Sequence, residues 1–378
     1  MKKLDFIYFD AGGGHRAAAN ALRQVIEQEH RPFQIRMVNL QELLDGMDVF
    51  RKLTGIRLQD IYNLMLKNGW TLGSPQLMMG MHLMIRLFHR KAVRLLEDFW
   101  GNDGPDMVIS LVPNFDRAIC EGLGRALPGV PLVTILTDIA DYPPHFWIEE
   151  KQDQHFICGS AKAVEQALAL GHPEDKVHRV SGMILNPRFY EIPALSAEQR
   201  AGERKALGFD PALPVGLVMF GGEGSAVMLR IARSLEDRQL LFICGKNTKL
   251  RDRLKGLRHR GALFVEGFTK EVPRYMQLVD YFIGKPGPGS VSEALAMKLP
   301  VIVENNAWTL PQERYNGEWL REMGAGMVLP NFGGIARAVE ELLEPAVYED
   351  YRRAAQRLDN RAVFEIPDIL GKIVGDTG

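Results

Sequence analysis

Short apolar runs alternate with stretches of helical periodicity along most of the chain. Leu4 to Phe9 reads as a first strand, and a glycine turn leads from it into a helical pattern from Ala17 to Glu29. Gln34 to Asn39 reads as a second strand, and Met107 to Leu111, Leu132 to Leu136 and His155 to Cys158 as later strands of the same sheet. Between about Pro187 and Pro214 the apolar periodicity fades and Pro, Ala, Glu and Arg dominate, which marks a break. A second series then begins: Val215 to Phe220, Gln239 to Cys244, Ala262 to Val265, Tyr281 to Gly284 and Val301 to Val303, each followed by a helical pattern. Strands alternating with helices predict an α/β protein of two successive doubly wound domains, 1–190 and 191–378, the last helix being able to cross back to the first domain. Ligands of such sheets sit beyond the carboxyl ends of the strands, so the cleft between the domains is the expected site.

The stretch from Arg51 to Trp100 interrupts the rhythm. It carries eight Lys and Arg against three acids and holds Met65, Met78, Met79, Met81 and Met84. Between Leu77 and Trp100, Met81, Met84, Phe88, Leu95 and Phe99 fall near helical spacing, with Arg86, Arg90 and Arg94 at four-residue intervals. A basic amphipathic helix of this kind can lie in a membrane interface. The plainer reading is a helix that packs its apolar stripe on the sheet.

Charge narrows the partners. The 378 residues carry 46 Lys and Arg against 47 Asp and Glu, a net charge of −1, so no global basic field draws the chain to nucleic acid. With 46% hydrophobic and 25% charged residues it has ordinary globular composition. Cys120, Cys158 and Cys244 are widely spaced and form no CxxC pair, which argues against a zinc site or a disulfide framework and fits a reducing compartment. The apolar run after Lys2 and Lys3 contains Asp5 and stops at Asp10, unlike a signal peptide. No run approaches the roughly 18 to 20 apolar residues that span a bilayer. The expected location is cytoplasmic.

Four segments carry candidate chemistry. In Asp10-Ala11-Gly12-Gly13-Gly14-His15-Arg16, three glycines between a strand and a helix let a ligand approach the backbone and the free N–H groups of a helix start. The spacing is not the dinucleotide GxGxxG. His15 can take a proton near neutral pH, or simply cap the helix. The loop Phe220-Gly221-Gly222-Glu223-Gly224-Ser225 could cradle a diphosphate at the opening of the second domain.

The third segment runs from Gly284 to Ala296. Ser290 is placed to cap a helix with Glu293 in its first turn, an S-x-x-E pattern that a capping box alone would explain. The Glu293 carboxylate can instead accept hydrogen bonds from a ribose, with phosphates on the same helix start near Lys285. In the fourth, Pro311 to Asn316, the side chains of Gln312, Glu313 and Asn316 share one helical turn and suit a polyhydroxylated ligand.

The AGGGHRAAA segment at Ala11 to Ala19 resembles the N-terminal signature of monogalactosyldiacylglycerol synthases and bacterial diacylglycerol glucosyltransferases. GKPGPGSVSEALAMKLPVIV at Gly284 to Val303, followed by Pro311 to Asn316, is similar to that family's donor-sugar region and to the related peptidoglycan N-acetylglucosaminyltransferase. Thr137-Asp138 with His145 and Trp147, Ser181-Gly182-Met183 with Pro187 and Phe189, and Gly267-Phe268-Thr269 with Met276 add to the match, which spans Leu4 to Gly326. Pro288 in place of a usual glycine, and Asp10 in place of a small residue, are departures; Pro288 removes one backbone donor.

The resemblance implies the GT-B fold of two Rossmann-like domains and an inverting transfer of a hexose from a UDP-sugar to a lipid hydroxyl, with 1,2-diacylglycerol the expected acceptor. It places Glu293 on the ribose and Phe268 beside the uracil. Gly289, Ser290, Lys285 and the loop Gly222, Glu223, Gly224 and Ser225 fall on the diphosphate, and Gln312, Glu313 and Asn316 on the sugar. Gly13, Gly14, His15, Asp138 and His145 fall on the acceptor side, with His15 or Asp138 the base; the ordinary pKa of histidine favours His15. No DxD-type carboxylate pair precedes a strand end, so no metal and no cofactor beyond the donor substrate is expected. Arg86, Arg90 and Arg94 would hold the enzyme peripherally on the inner face of the cell membrane, and nucleic acid is not an expected partner. The alternatives are transfer to a polyprenyl-linked or other acceptor, a UDP-sugar epimerase, and a non-catalytic sugar-nucleotide-binding protein.

Overall fold

The computed structural model describes residues 1–10, 13–44 and 74–375. Residues 11 and 12 of the first glycine loop and 51–73 of the basic stretch lie outside them, as do the side chains of Met65, Met78, Met79, Met81 and Met84.

Two compact units divide the chain, and the first consists of described residues 1–10, 13–44, 74–187 and 360–375. Its elements are β1 (Lys2–Tyr8), α1 (Gly14–Gln28), β2 (Phe33–Asn39), α2 (Leu40–Leu44), α3 (Ser74–Asn102), β3 (Met107–Ser110), α4 (Asp116–Ala126), β4 (Leu132–Ile135), β5 (His155–Cys158), α5 (Ala161–Ala169) and β6 (Val177–Arg179). The second unit, 188–359, contains α6 (Arg188–Glu191), α7 (Ala197–Ala206), β7 (Val215–Met219), α8 (Val227–Ser234), β8 (Gln239–Ile243), α9 (Thr248–Lys255), β9 (Leu263–Glu266), α10 (Val272–Gln277), β10 (Tyr281–Gly284), α11 (Pro288–Ala296), β11 (Val301–Glu304), α12 (Arg314–Glu322), β12 (Gly326–Leu329), α13 (Ile335–Leu342) and α14 (Pro345–Arg357). The last helix, α15 (Ala362–Val374), belongs to the first unit. There Asp368 pairs with Arg31 at 2.7 Å and Glu365 accepts the Ser181 N–H at 2.8 Å.

Both sheets have six strands, and every pairing is parallel. Their orders are β2-β1-β3-β4-β5-β6 and β12-β11-β10-β7-β8-β9. Parallel strands covered by helices on both faces carry near-continuous apolar runs, and all residues of β3, β4, β7, β8 and β10 are buried. Crossover direction reverses between β1 and β3 in the first sheet and between β7 and β10 in the second. At such a reversal neighbouring loops diverge to opposite faces and leave a crevice at the carboxyl edge.

Helices dock by one apolar stripe. On α1 this is Ala18, Ala19, Ala21, Leu22, Val25 and Ile26, at three- and four-residue spacing. In the second unit Met228, Ile231 and Ala232 of α8 join Ile335, Val339 and Leu342 of α13 in one core.

The polar break at 187–214 holds two helices that apolar periodicity did not reveal. α7 is fixed by a Ser196–Gln199 capping box, and Arg204 on its buried side donates to Asp280 Oδ2 at 2.6 Å and to the Leu278 carbonyl at 2.8 Å. Ionic anchoring replaces an apolar stripe. β6 and β12 also went unread: β6 is only three residues, Val177–Arg179, with none buried, and β12 buries only Gly326 and Met327.

Candidate functional site

At the carboxyl ends of the first sheet, the start of α1 carries His15, and the loop after β4 carries Thr137, Asp138 and Trp147. Gly13, at φ +80°, starts α1 without a side-chain cap, and a Cβ at Gly13 or Gly14 would meet open space. Packing does not require glycine at position 14, which fits a backbone left bare for a ligand. Asp10 pairs with Arg16 at 3.1 Å, which accounts for an acid before the loop.

His15 Nδ1 lies 2.9 Å from Thr137 Oγ1, and the ring also hydrogen-bonds the Leu111 backbone. Its ring lies near Trp147, with centroids 5.8 Å apart and the planes tilted by 54°. Burial penalises the charged ring and pulls its pKa down to about 4, against the partial support of the Leu111 hydrogen bond. The ordinary histidine pKa that favoured His15 as base is therefore corrected: burial holds the ring neutral through the physiological range.

Asp138 is buried and accepts the Trp147 indole N–H at 2.9 Å. Asp141, also buried, accepts the backbone N–H groups of Trp147 at 2.6 Å and of His145 at 2.9 Å. The His145 side chain is exposed, so that residue joins the cluster through its backbone only. Thr137, Asp141 and Trp147 were given no role from the sequence. An Asp followed by several N–H groups of a tight loop is a local signal that could have marked Asp141.

The second sheet brings together the glycine loop after β7 and the segment after β10, the two strands that flank its reversal point. Gly221 and Gly224 have φ of +70° and +60°, and a Cβ on Gly224 would approach the Cys244 carbonyl to 2.8 Å. Glycine is thus required where this loop crosses the turn after β8. There Lys246 N–H donates to the Gly222 carbonyl at 2.8 Å and Asn247 Nδ2 to the Glu223 carbonyl at 3.3 Å. The Ser225 hydroxyl accepts from Val227 N at 3.3 Å at the opening of α8.

After β10, helix α11 begins earlier than its sequence pattern indicated. Gly287 is the N-cap, Pro288 occupies the first turn, and no side chain caps the helix. Ser290 lies inside the first turn with its hydroxyl 3.5 Å from the Gly287 carbonyl, and Glu293 lies in the second turn, so neither forms a capping box. Proline is tolerated at this position because the amide it lacks would have no intrahelical acceptor. The Gly289 and Ser290 amides remain as donors.

Glu293 is partly buried and has no hydrogen-bond or ion-pair partner among the described residues. Burial alone raises its pKa to about 7. The Lys285 ammonium is 2.6 Å from Glu313 Oε1. A Cβ on Gly287 would lie 3.2 Å from Lys285 Cε, 3.4 Å from Ser290 Oγ and 3.6 Å from Glu313 Oε1, so these groups converge on one bare stretch of backbone. Asn316 is buried; its Nδ2 donates to the Pro286 carbonyl at 2.6 Å, while its Oδ1 is buried without a partner. Gln312 is partly buried, and Phe268, after β9, is 64% exposed.

Arg86, Arg90 and Arg94 are exposed on α3. The same helix buries Ala92, Val93, Leu96 and Trp100 in the core, yet leaves Leu83 and Leu87 59% and 67% exposed. The packing reading thus holds for that buried stripe. Among the described residues no helix is long and apolar enough to cross a membrane, and no cluster of three or more His, Cys, Asp or Glu could hold a metal ion.

Comparison with known proteins gives a consistent picture. No family model matches the chain. A probable chloroplastic monogalactosyldiacylglycerol synthase 2 of Oryza sativa subsp. japonica is 29% identical over 397 residues, covering 98% of this chain and 81% of the relative. Monogalactosyldiacylglycerol synthase 1 of Arabidopsis thaliana is 27% identical over 404 residues, covering 99% and 71%. Among solved structures, the MnaA–UDP complex of S. aureus superposes with a TM-score of 0.62 at 16% identity, covering 100% of this chain and 98% of its own. MurG of Acinetobacter baumannii gives 0.61 at 14% identity, covering 98% and 100%. The fold is GT-B.

Proposed function

We propose that this chain, a homologue of the monogalactosyldiacylglycerol synthases, transfers a hexose from a UDP-sugar to the hydroxyl of a lipid, with 1,2-diacylglycerol as acceptor. The observation that carries the reading is the position of the donor elements. The loops after β7 and β10 flank the reversal point of the second sheet, where such folds receive nucleotides.

In this reading the ionised Glu293 carboxylate accepts the ribose hydroxyls, and Phe268 lies against the uracil. The amides of Gly289, Ser290 and the Gly222 to Ser225 loop meet the diphosphate together with Lys285. Charge grows on the leaving UDP as the glycosidic bond to it breaks, and donors already fixed in place stabilise that charge without reorganising. The transfer needs no metal in this account. Gln312, Glu313 and Asn316 hold sugar hydroxyls, and the buried, unpartnered Asn316 Oδ1 favours a ligand donor there. On the acceptor side His15 or Asp138 takes the proton of the attacking hydroxyl as that oxygen bonds to the anomeric carbon, inverting it. A neutral His15 is ready to accept it. Arg86, Arg90 and Arg94 with exposed Leu83 and Leu87 form the membrane contact, on the inner face of the cell membrane.

The test is a panel of labelled UDP-glucose, UDP-galactose and UDP-N-acetylglucosamine, each with and without diacylglycerol, read by lipid extraction. Diacylglycerol-dependent label in the lipid phase is the expected result. Interconversion of the UDP-sugars without acceptor would replace the reading with an epimerase, and binding without turnover would replace it with a sensor.

A further inference from the structure

The chain has a net charge of −1, yet residues 246–260, KNTKLRDRLKGLRHR, hold seven Lys and Arg against the single acid Asp252. They form α9 and the turn that follows it. Lys246 faces Glu223 at 4.0 Å, Arg251 pairs with Asp252, and Arg260 is held by Glu236 and Asp237. The other four, Lys249, Arg253, Lys255 and Arg258, are exposed and have no acidic partner among the described residues. Leu250 and Leu254 bury the opposite side of α9, so these cations stand on its solvent face.

Ordinary explanations account for part of this pattern only. Cations in the last turn complement the helix dipole, which suits Arg253 and Lys255. Lys249 lies in the first turn, where the dipole disfavours it, and Arg258 lies beyond the helix. Solvated surfaces also intersperse both signs of charge, whereas Asp252 is the single acid within these fifteen residues. Beside it, the outer strand β9 leaves Leu263 and Phe264 only partly buried, and with Lys255 and Leu257 they border a shallow cavity of about 390 Å³. Cations adjoining accessible apolar side chains are the pattern of a surface that meets lipid headgroups and the acyl boundary beneath them.

We propose that the α9 face and the adjoining β9 edge form a docking surface for a membrane carrying anionic lipids, in the donor-binding unit and additional to α3. The choice of a membrane over another polyanion rests on the reading that the acceptor is a lipid.

The experiment measures partition of the full chain onto phosphatidylcholine vesicles with about a third phosphatidylglycerol, and onto phosphatidylcholine alone. Each Lys or Arg near an anionic surface contributes about fivefold to partition, so R253E/K255E/R258E should lower it at least about a hundredfold. The corresponding Gln variant should fall less, and added salt should weaken the wild type. UDP affinity by calorimetry and transfer to detergent-dispersed diacylglycerol should match wild type in both variants, which also shows that they fold. Undiminished partition of the charge-reversed variant would overturn the proposal, as would equal binding to neutral vesicles. So would an RNA oligonucleotide bound more tightly than the vesicles and lost in the same variant. Wild-type protein that partitions onto anionic vesicles but transfers no sugar in detergent would remove the transferase reading and leave the docking surface standing.

Discussion

The Lys285 ammonium and the Glu313 carboxylate meet at 2.6 Å, joining the end of β10 to the turn before α12. Glu313 is nearly enclosed, with its side chain 9% exposed, and an unpaired carboxylate there would be strongly disfavoured. The pair therefore fixes Lys285 beside Gly287 and Ser290 before any ligand arrives. A cation held in advance loses little entropy when it meets a diphosphate.

Removing that cation separates two roles for Glu313. Lys285→Ala is expected to weaken UDP binding roughly ten- to a hundredfold, the scale of a lost charge-assisted hydrogen bond. If Glu313 acts by presenting Lys285, Glu313→Gln adds little in the Lys285→Ala background. If its second oxygen also holds the sugar, kcat falls further in the double variant while UDP affinity does not. A double-mutant cycle on both quantities decides between them.

Glu293 should make donor binding depend on pH. Its carboxyl is pushed up to about 7 by burial, and only the ionised form accepts both hydrogen bonds from a ribose. Binding then favours the deprotonated state, so affinity for UDP-glucose rises as pH increases through about 7 and levels off above it. A proton is released on binding near neutrality, and calorimetric enthalpies should vary with the buffer's heat of ionisation. Glu293→Gln should abolish the pH step and weaken binding at pH 8 roughly tenfold or more. A pH-independent affinity in the wild type would remove Glu293 from the ribose.

Much of the fold was legible because strands of a covered parallel sheet carry near-continuous apolar runs, and ten of the twelve show one. β6 and β12 were not: β6 is three residues long with none of them buried, and in β12 only Gly326 and Met327 are buried. α7 was hidden for a different reason: Arg204 and Asp280 bind it through charge, which leaves no periodic apolar trace. At the site, residue types and order pointed to Glu293 and Lys285. The start of α11 was misplaced because Ser290 and Glu293 imitate a capping box, whereas backbone geometry puts the cap at Gly287. The low pKa of His15 had no local cue, because its cause is burial and the neighbours Thr137 and Trp147 lie about 100 residues or more away.

That burial gives His15 a distinctive pH signature. With its pKa near 4, the ring stays neutral down to about pH 5. If it accepts the acceptor's proton, kcat at saturating donor, where the titration of Glu293 no longer enters, should remain flat from neutral pH to about 5 and fall only below. His15→Ala should lower kcat by about 10²- to 10⁴-fold with UDP affinity unchanged. Thr137→Val, which leaves Nδ1 without its 2.9 Å partner, should lower kcat with little change in KM. A kcat that already declines near 6.5 would assign the proton transfer to another group.

A second histidine effect concerns stability rather than turnover. His155 Nδ1 and His178 Nε2 are 3.2 Å apart on β5 and β6, with their rings stacked at an 18° interplanar angle. Burial lowers both pKa values. Lys176 and His178 add to the effect at His155, as Lys372 does at His178, while Asp153 and Asp175 oppose it. Because the folded-state values are depressed, the unfolded chain binds more protons as pH falls. The stabilisation is complete above about 6.5 and is lost as acid protonates the pair in its folded setting. The thermal midpoint should therefore drop between pH 7 and pH 5, by about 2 to 4 °C for each 1 kcal/mol lost. His178→Gln removes one titrating ring and the mutual repulsion, so its midpoint should fall less over the same range. Equal acid sensitivity in this variant and the wild type, measured by calorimetric scans in matched buffers, would move the effect away from the pair.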